Sequence, residues 1–297
     1  MEKINSLLDF LHYFKMENIC LKFLKKQRFK NGEFCPHCNH NKIYTFRDKR
    51  TYKCAKCRKF FTLKVGTIFD SSKVSLKKWF LAIFLLNNNH KGISSTQLAE
   101  QIGVTQKTAW FMAQRIRETY KQNKRLLGKI FEVDETYIGG KERNKHINKK
   151  HKISKEAVLG VVARKGELKL KHIGETNTYT VSKELCNKFN KKSVVITDET
   201  KIYDKVLYNV NRRVVNHSKK EYVLNGDIYT NTIENTFGIV KRTLYGIYHK
   251  VSKKHLQRYL NEIAFRFNNR GKDNSNKMEL CLCNINNRLK YNELIKG

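Results

Sequence analysis

Two short cysteine pairs constrain this chain more tightly than any other feature: Cys35-Pro-His-Cys38 and Cys54-Ala-Lys-Cys57, separated by 15 residues. Two residues between cysteines let both thiolates of a tight turn face one ion, and two such turns on facing hairpins complete a tetrahedral four-sulfur shell. The spacing predicts a zinc ribbon over residues 29–65, with strand-like pieces at Lys42 to Arg47 and Thr51 to Lys53 and with Phe60 and Phe61 covering one small sheet. Four thiolates leave no position for water. One Zn²⁺ held by Cys35, Cys38, Cys54 and Cys57 would therefore be structural, supplying folding energy to a module too small for a large core. The plainer alternative is four cysteines that merely pack. His37 and His40 read as loop residues, and Cys20, Cys186, Cys281 and Cys283 as ordinary small side chains.

The charge balance says what such a ribbon would meet. The 297 residues hold 61 Lys+Arg against 26 Asp+Glu, a formal charge of +35. Self-repulsion of this size is hard to reconcile with a monomeric metabolic enzyme, whereas a polyphosphate partner neutralises it and releases counterions. A biased genome is the bland explanation, since the chain is rich in Lys, Asn and Ile and holds a single proline, Pro36. Hydrophobic content of 40% with 11% aromatics excludes a wholly disordered chain. A membrane span is not expected, because the longest apolar run, Trp79 to Leu86, is eight residues, against the roughly 18 a span needs. Met1 to Phe14 reads as an amphipathic helix rather than a secretion signal, opening a helical segment over residues 1–28. The expected location is the cytoplasm, at the nucleoid when DNA is bound.

From Trp79 the period becomes helical. Ser94 with Gln97 has the form of a capping box, Gly103 permits a sharp turn, and Thr105 caps a longer helix from Gln106 to Tyr120. Helix, glycine turn, helix predicts a helix-turn-helix module over residues 75–126. In that geometry Gln106, Lys107 and Thr108 are candidates for base or phosphate contact and Arg115 and Arg117 for backbone contact, with Ala109, Phe111 and Met112 packing inward. The alternative is an ordinary three-helix bundle that touches no groove.

After Gly128 the period changes again. Lys129 to Tyr137 alternates as a strand; further strands are expected at Ala157 to Arg164, Leu168 to Ile173 and Ser193 to Thr197, with a helix over Ser182 to Lys191 and another beginning near Thr232. The expected class is α/β, in a multidomain α+β chain whose residues 128–270 form an RNase H-like domain with a mixed sheet, followed by a tail over 271–297. Two-metal phosphoryl transfer needs carboxylates from separate elements converging on ions about 3.5–4 Å apart. Asp134 on the first strand and Asp198 closing the later one are candidates to be neighbours, with Glu234 supplied by a helix. Lys241, seven residues beyond Glu234, projects from the same helical face and is placed to hold a DNA phosphate, as is the adjacent Arg242. Glu132 and Glu135 remain rivals for the first position. Among 26 acids some trio with acceptable intervals is nearly guaranteed; the stronger signal is a charge closing an apolar strand, costly unless it serves a site. Lys141 to Lys155 carries seven Lys/Arg, beginning with Lys141 and Arg143, and reads as a backbone-tracking arm or as a solvated loop. His217 is a candidate to orient a phosphate or carboxylate, or a structural histidine.

Several long segments, in order, resemble one family. VDETYIGG (133–140), ITDET with Tyr203 following, VVNHS (214–218) and residues 230–270 are similar to the ISXO2-like transposases of bacterial insertion sequences, and the likeness takes in the ribbon and the KTAWFMAQRIR helix. The resemblance implies an RNase H-like core with a D-D-E/N-K signature, on which Asp134 matches the first aspartate, Asp198 the second, Glu234 the third acid and Lys241 the lysine. It implies two catalytic Mg²⁺ ions, replaceable by Mn²⁺, and double-stranded DNA partners: the element's terminal inverted repeats and target DNA. It also implies a homo-oligomer in the synaptic complex. Tyr229 stands where relatives commonly have His, and Phe237 where they have Trp. Asn231 and Asn235 are alternatives for the third position, since some branches use asparagine there. A non-enzymatic DNA-binding regulator and a nuclease that cuts without joining are the competing readings.

Overall fold

The structure, a computed structural model, describes residues 4–121, 126–139, 155–186, 188–190, 192–215, 230–286 and 288–296. It divides into two compact units, Met1–Lys121 with Asn269–Gly297, and Gln122–Asn268. The second unit is thus inserted into the sequence of the first.

The first unit begins with α1 (Leu7–Tyr13) and α2 (Glu17–Arg28). Ser6 and Asp9 cap α1 reciprocally. The ribbon follows as an antiparallel sheet of β1 (Ile43–Thr45), β2 (Thr51–Cys54) and β3 (Phe60–Thr62). Arg28 at the end of α2 donates to the carbonyls of Leu63 and Val65, tying that helix to the chain leaving the ribbon. Next come α3 (Leu76–Asn88), α4 (Ser95–Ile102) and α5 (Gln106–Glu118). Gly103 ends α4 at φ +63°, the left-handed value that favours glycine, and Thr105 then caps α5. Phe10, Phe14, Phe23 and Phe80 form an aromatic core with centroid spacings of 4.9–6.0 Å that also takes in Phe84.

In the second unit the elements run β4 (Ile130–Ile138), β5 (Glu156–Ala163), β6 (Leu168–Gly174), α6 (Thr178–Leu185), β7 (Val194–Thr197), α7 (Lys201–Val206), β8 (Asn211–Val214), α8 (Asn231–Gly246) and α9 (Lys253–Asn268). The sheet order is β6-β5-β4-β7-β8. β4, β5 and β6 form an antiparallel meander, while β7 and β8 add in parallel on the other side of β4. This is an RNase H-like arrangement. One sheet face, with Ile138, Val158 and Val162, buries Ile233, Phe237, Val240 and Leu244 of α8 and Leu256, Leu260 and Ile263 of α9. The opposite face, with Phe131, Val133, Leu159 and Val195, buries Val181 and Leu185 of α6 and Tyr203 and Val206 of α7.

Two local expectations need correction, and β8 is a strand that the sequence reading did not include. The helix expected over Ser182 to Lys191 begins at Thr178, because the Asn177 side chain accepts from Thr180 N at 2.9 Å and starts it there. β8 has no alternating apolar pattern and is recruited by parallel pairing to β7. Residues 271–297 are not a tail: α10 (Asn274–Cys283) and α11 (Tyr291–Ile295) belong to the first unit. There Met278, Cys281, Leu282 and Leu294 are buried, and Ile68 N donates to Ile285 O at 3.0 Å.

Candidate functional site

The four ribbon cysteines come together on two tight turns. Cys35 and Cys57 lie 3.7 Å apart at sulfur, Cys38 and Cys54 3.6 Å, and all four sulfurs fall within 4.8 Å of one another. A tetrahedron with Zn–S near 2.3 Å has edges of about 3.8 Å. The cluster therefore fits a structural zinc ion. His37 is exposed beside Phe61, and His40 contributes only its carbonyl, to Cys35 N.

Strand register places the carboxylates of the second unit. On β4, Glu132, Asp134 and Thr136 share the face that packs on α8, whereas Glu135 points to the α6/α7 face, where Tyr203 Oη donates to it. In the parallel pairing of β4 with β7, Glu132 stands opposite Ile196. Asp198 follows the last residue of β7, and its charge acts on Asp134. Thr200 fixes Asp198 through its N–H at 3.1 Å and its hydroxyl at 2.7 Å.

The helix bearing Glu234 approaches for two reasons. Directly opposite Asp134 on β5 is Gly160, where a Cβ would lie 2.6 Å from Ile233 and 2.8 Å from Phe237, so only glycine allows α8 this close. The fully buried Glu132 accepts from Ile233 N at 3.0 Å in the first turn of α8 while pairing with Arg164 at 2.9 Å. Glu132 is thus a structural tie between β4 and α8, in satisfied ion-pair geometry. Glu234, one residue further, is on the exposed side of the helix and accepts from the Thr230 hydroxyl at 2.8 Å. Asn231, Asn235, Lys241 and Arg242 are exposed on the same helix.

These acids feel one another. Burial pushes the Asp134 carboxyl up to about 7, with negative charge on Glu135, Asp198 and Glu234 adding to the effect and the Glu135 N–H, at 2.8 Å, opposing it. Burial and Asp198 likewise raise Glu135. The trio is nevertheless looser than the cysteines: among the described residues, the four thiols are the one His/Cys/Asp/Glu group whose ligand atoms all lie within 4.8 Å.

In the first unit, Gln106, Lys107 and Thr108 open α5. Gln106 and Lys107 are exposed; the Gln106 amide donates to Ser95 Oγ at 2.7 Å, and the Thr108 and Thr105 hydroxyls are 2.9 Å apart. Ala109 and Met112 are buried as expected, with Phe111 partly so. Arg115 and Arg117 overturn their assignment to the DNA backbone. Both are buried, and Arg115 donates to the carbonyls of Ile68, Asp70 and Leu289 at 2.7–3.0 Å. Its guanidinium fastens α5 to the loop before α3 and to the C-terminal segment. Lys141, Arg143, His217 and Tyr229 lie outside the described residues, as does most of the basic arm; no helix among the described residues is long and apolar enough to cross a membrane.

Comparison with known proteins agrees with this division. Residues 125–268 match the ISXO2-like transposase domain, and residues 15–60 match the transposase zinc-ribbon domain. A protein of Halobacterium salinarum described as an uncharacterized protein in transposable element ISH50 is 28% identical over 273 residues, covering 85% of this chain and 91% of its own. A chain of the pre-cleavage Mos1 transpososome crystal structure aligns over 71% of this chain and 80% of its own at 11% identity, with a TM-score of 0.21.

Proposed function

The chain belongs to the ISXO2-like transposases, and from that premise we propose that it cuts DNA at the terminal repeats of a mobile element and joins the freed ends to target DNA. What supports this reading is that the charges of Asp198 and Glu234 act on Asp134, while Gly160 and Glu132 bring α8 against the sheet face that carries Asp134. Hard carboxylate oxygens would suit Mg²⁺ and admit Mn²⁺, and burial together with the neighbouring acids raises Asp134. Asp134, Asp198 and Glu234 would hold a pair of such ions, which when bound supply charge stabilisation to the attacking and leaving oxygens.

The remaining work falls to the chain itself. Thr200 keeps Asp198 oriented, and Glu132 holds the start of α8 against β4. Lys241 and Arg242, exposed on α8, hold the phosphates flanking the scissile bond. Gln106, Lys107 and Thr108 at the start of α5 meet the duplex, and Lys141 and Arg143 track its backbone. The reaction has two parts: hydrolysis of a phosphodiester leaves a 3′-hydroxyl, which then attacks a target phosphodiester so that one P–O bond forms as another breaks. Both parts use one site, with more than one copy of the chain holding the two ends in the cytoplasm, at the nucleoid.

The test is incubation with DNA carrying the element's ends, Mg²⁺ and a target plasmid. The wild type should yield cut and joined products. Asp134→Asn, Asp198→Asn and Glu234→Gln should each lower cutting by about a hundred-fold or more, the scale of losing one preorganised electrostatic group, while retaining DNA binding. Binding without any cutting by the wild type would identify a regulator, cutting without joining a nuclease; retained cleavage in Asp134→Asn would remove that residue from the chemistry.

A further inference from the structure

The zinc ribbon presents two unlike faces. Directly opposed residues of an antiparallel pair project to the same side of a sheet. One side carries Tyr52 and its partner Phe61, both buried, with centroids 5.5 Å apart and planes 20° from parallel; Phe29 meets Tyr52 edge-on at 6.0 Å. The other side carries the row Tyr44, Lys53 and Phe60, with Phe46 two residues beyond Tyr44. These aromatics face solvent: Phe60 is 57% exposed, Tyr44 50% and Phe46 42%. Phe46 and Phe60 have centroids 5.5 Å apart, and Lys53 Nζ lies 5.2 Å from the Phe60 ring.

The ribbon's own packing uses Tyr52 and Phe61, so the outer rings serve no fold requirement visible in the structure. Their surroundings select the partner. Between Lys42 and Lys64 the chain carries nine Lys/Arg and one acid, Asp48. A second copy of so cationic a module would meet like charge, and an apolar peptide would leave the cations uncompensated. A polyanion whose bases present π faces satisfies both the rings and the lysines. In a duplex those faces are hidden in the stack; only unpaired bases offer them.

We propose that the outer face of the ribbon, built on Tyr44, Phe46, Lys53 and Phe60, is a stacking platform for the unpaired bases of single-stranded DNA. This rests on DNA being the substrate, and it adds that the ribbon holds a splayed strand rather than reading a groove.

The test is fluorescence anisotropy with the full-length, zinc-loaded protein, comparing a labelled oligothymidine with a random-sequence duplex in the absence of added Mg²⁺. In the Phe46→Ala/Phe60→Ala variant, oligothymidine affinity should fall by roughly ten- to a hundred-fold while duplex affinity stays within about two-fold. Phe60→Tyr, which keeps the ring, should retain oligothymidine binding, and equal zinc content in all variants checks that the ribbon is folded. Unchanged oligothymidine affinity in the double variant, or equal losses for both DNAs, would overturn the proposal. So would conversion of an oligomer to a monomer by the double substitution, which would mark the face as a contact between copies. A chain that cuts and joins DNA but fails here loses only this inference; one that passes here yet never cuts loses only the catalytic reading.

Discussion

Glu132 and Asp134 stand two residues apart on the same face of β4 and do different work. Glu132 is enclosed, with Arg164 and the Ile233 N–H as partners, whereas Asp134 is half-buried among other acids. Removing one partner of a buried pair leaves the other charge uncompensated, so Glu132→Ala should cost about 3–5 kcal/mol of stability, measured by urea unfolding. A loss under about 1 kcal/mol would contradict the structural role given to it. The two-residue period puts Glu135 on the opposite face from Asp134, but it leaves Glu132 and Asp134 together, and only the family resemblance chose between them, because burial on one strand face is decided by what packs over it. Arg115 failed for a similar reason. A basic residue on an amphipathic helix reads as solvent-facing, and its three carbonyl acceptors come from positions 45 to 174 residues away.

At the scale of elements, the alternating runs of β4 and β6, the continuous apolar run of β5 and the capping residues of α4 and α5 were readable because apolar pattern and cap chemistry are local. β8 and the packing of α10 were not, since pairing to β7 and burial against α2 and α3 are tertiary choices. The junction of β5 with α9 offers a pH test. Glu156 lies 2.8 Å from His172 Nε2 and 3.2 Å from Lys253 Nζ. Burial works to raise its carboxyl, but hydrogen bonds from His172 and Lys253 outweigh it and hold Glu156 below the ordinary carboxylate range. A group depressed in the folded state contributes stability that is complete above its unfolded value, about 4.3, and lost as pH falls through the lower folded value. The stability difference between wild type and Glu156→Gln should therefore be present at neutral pH and shrink in acid below about pH 4. Thermal unfolding at the two conditions reads it; an unchanged difference in acid would contradict the assignment.

For the whole molecule, charge and cysteine spacing already indicated a polyanion partner and a metal-stapled module, and the family matches at 15–60 and 125–268 fall on the ribbon and the RNase H-like unit. What no local pattern supplied is that the unit Gln122–Asn268 interrupts the sequence of the other. The proposed sharing of metal ions by Asp134, Asp198 and Glu234 is read by titrating Mn²⁺ into the full-length protein and following it by electron paramagnetic resonance. The wild type should bind Mn²⁺, and Asp134→Asn, Asp198→Asn and Glu234→Gln should each weaken that binding. Wild-type binding in any one of these variants, with the fold intact, would contradict a site shared by all three acids.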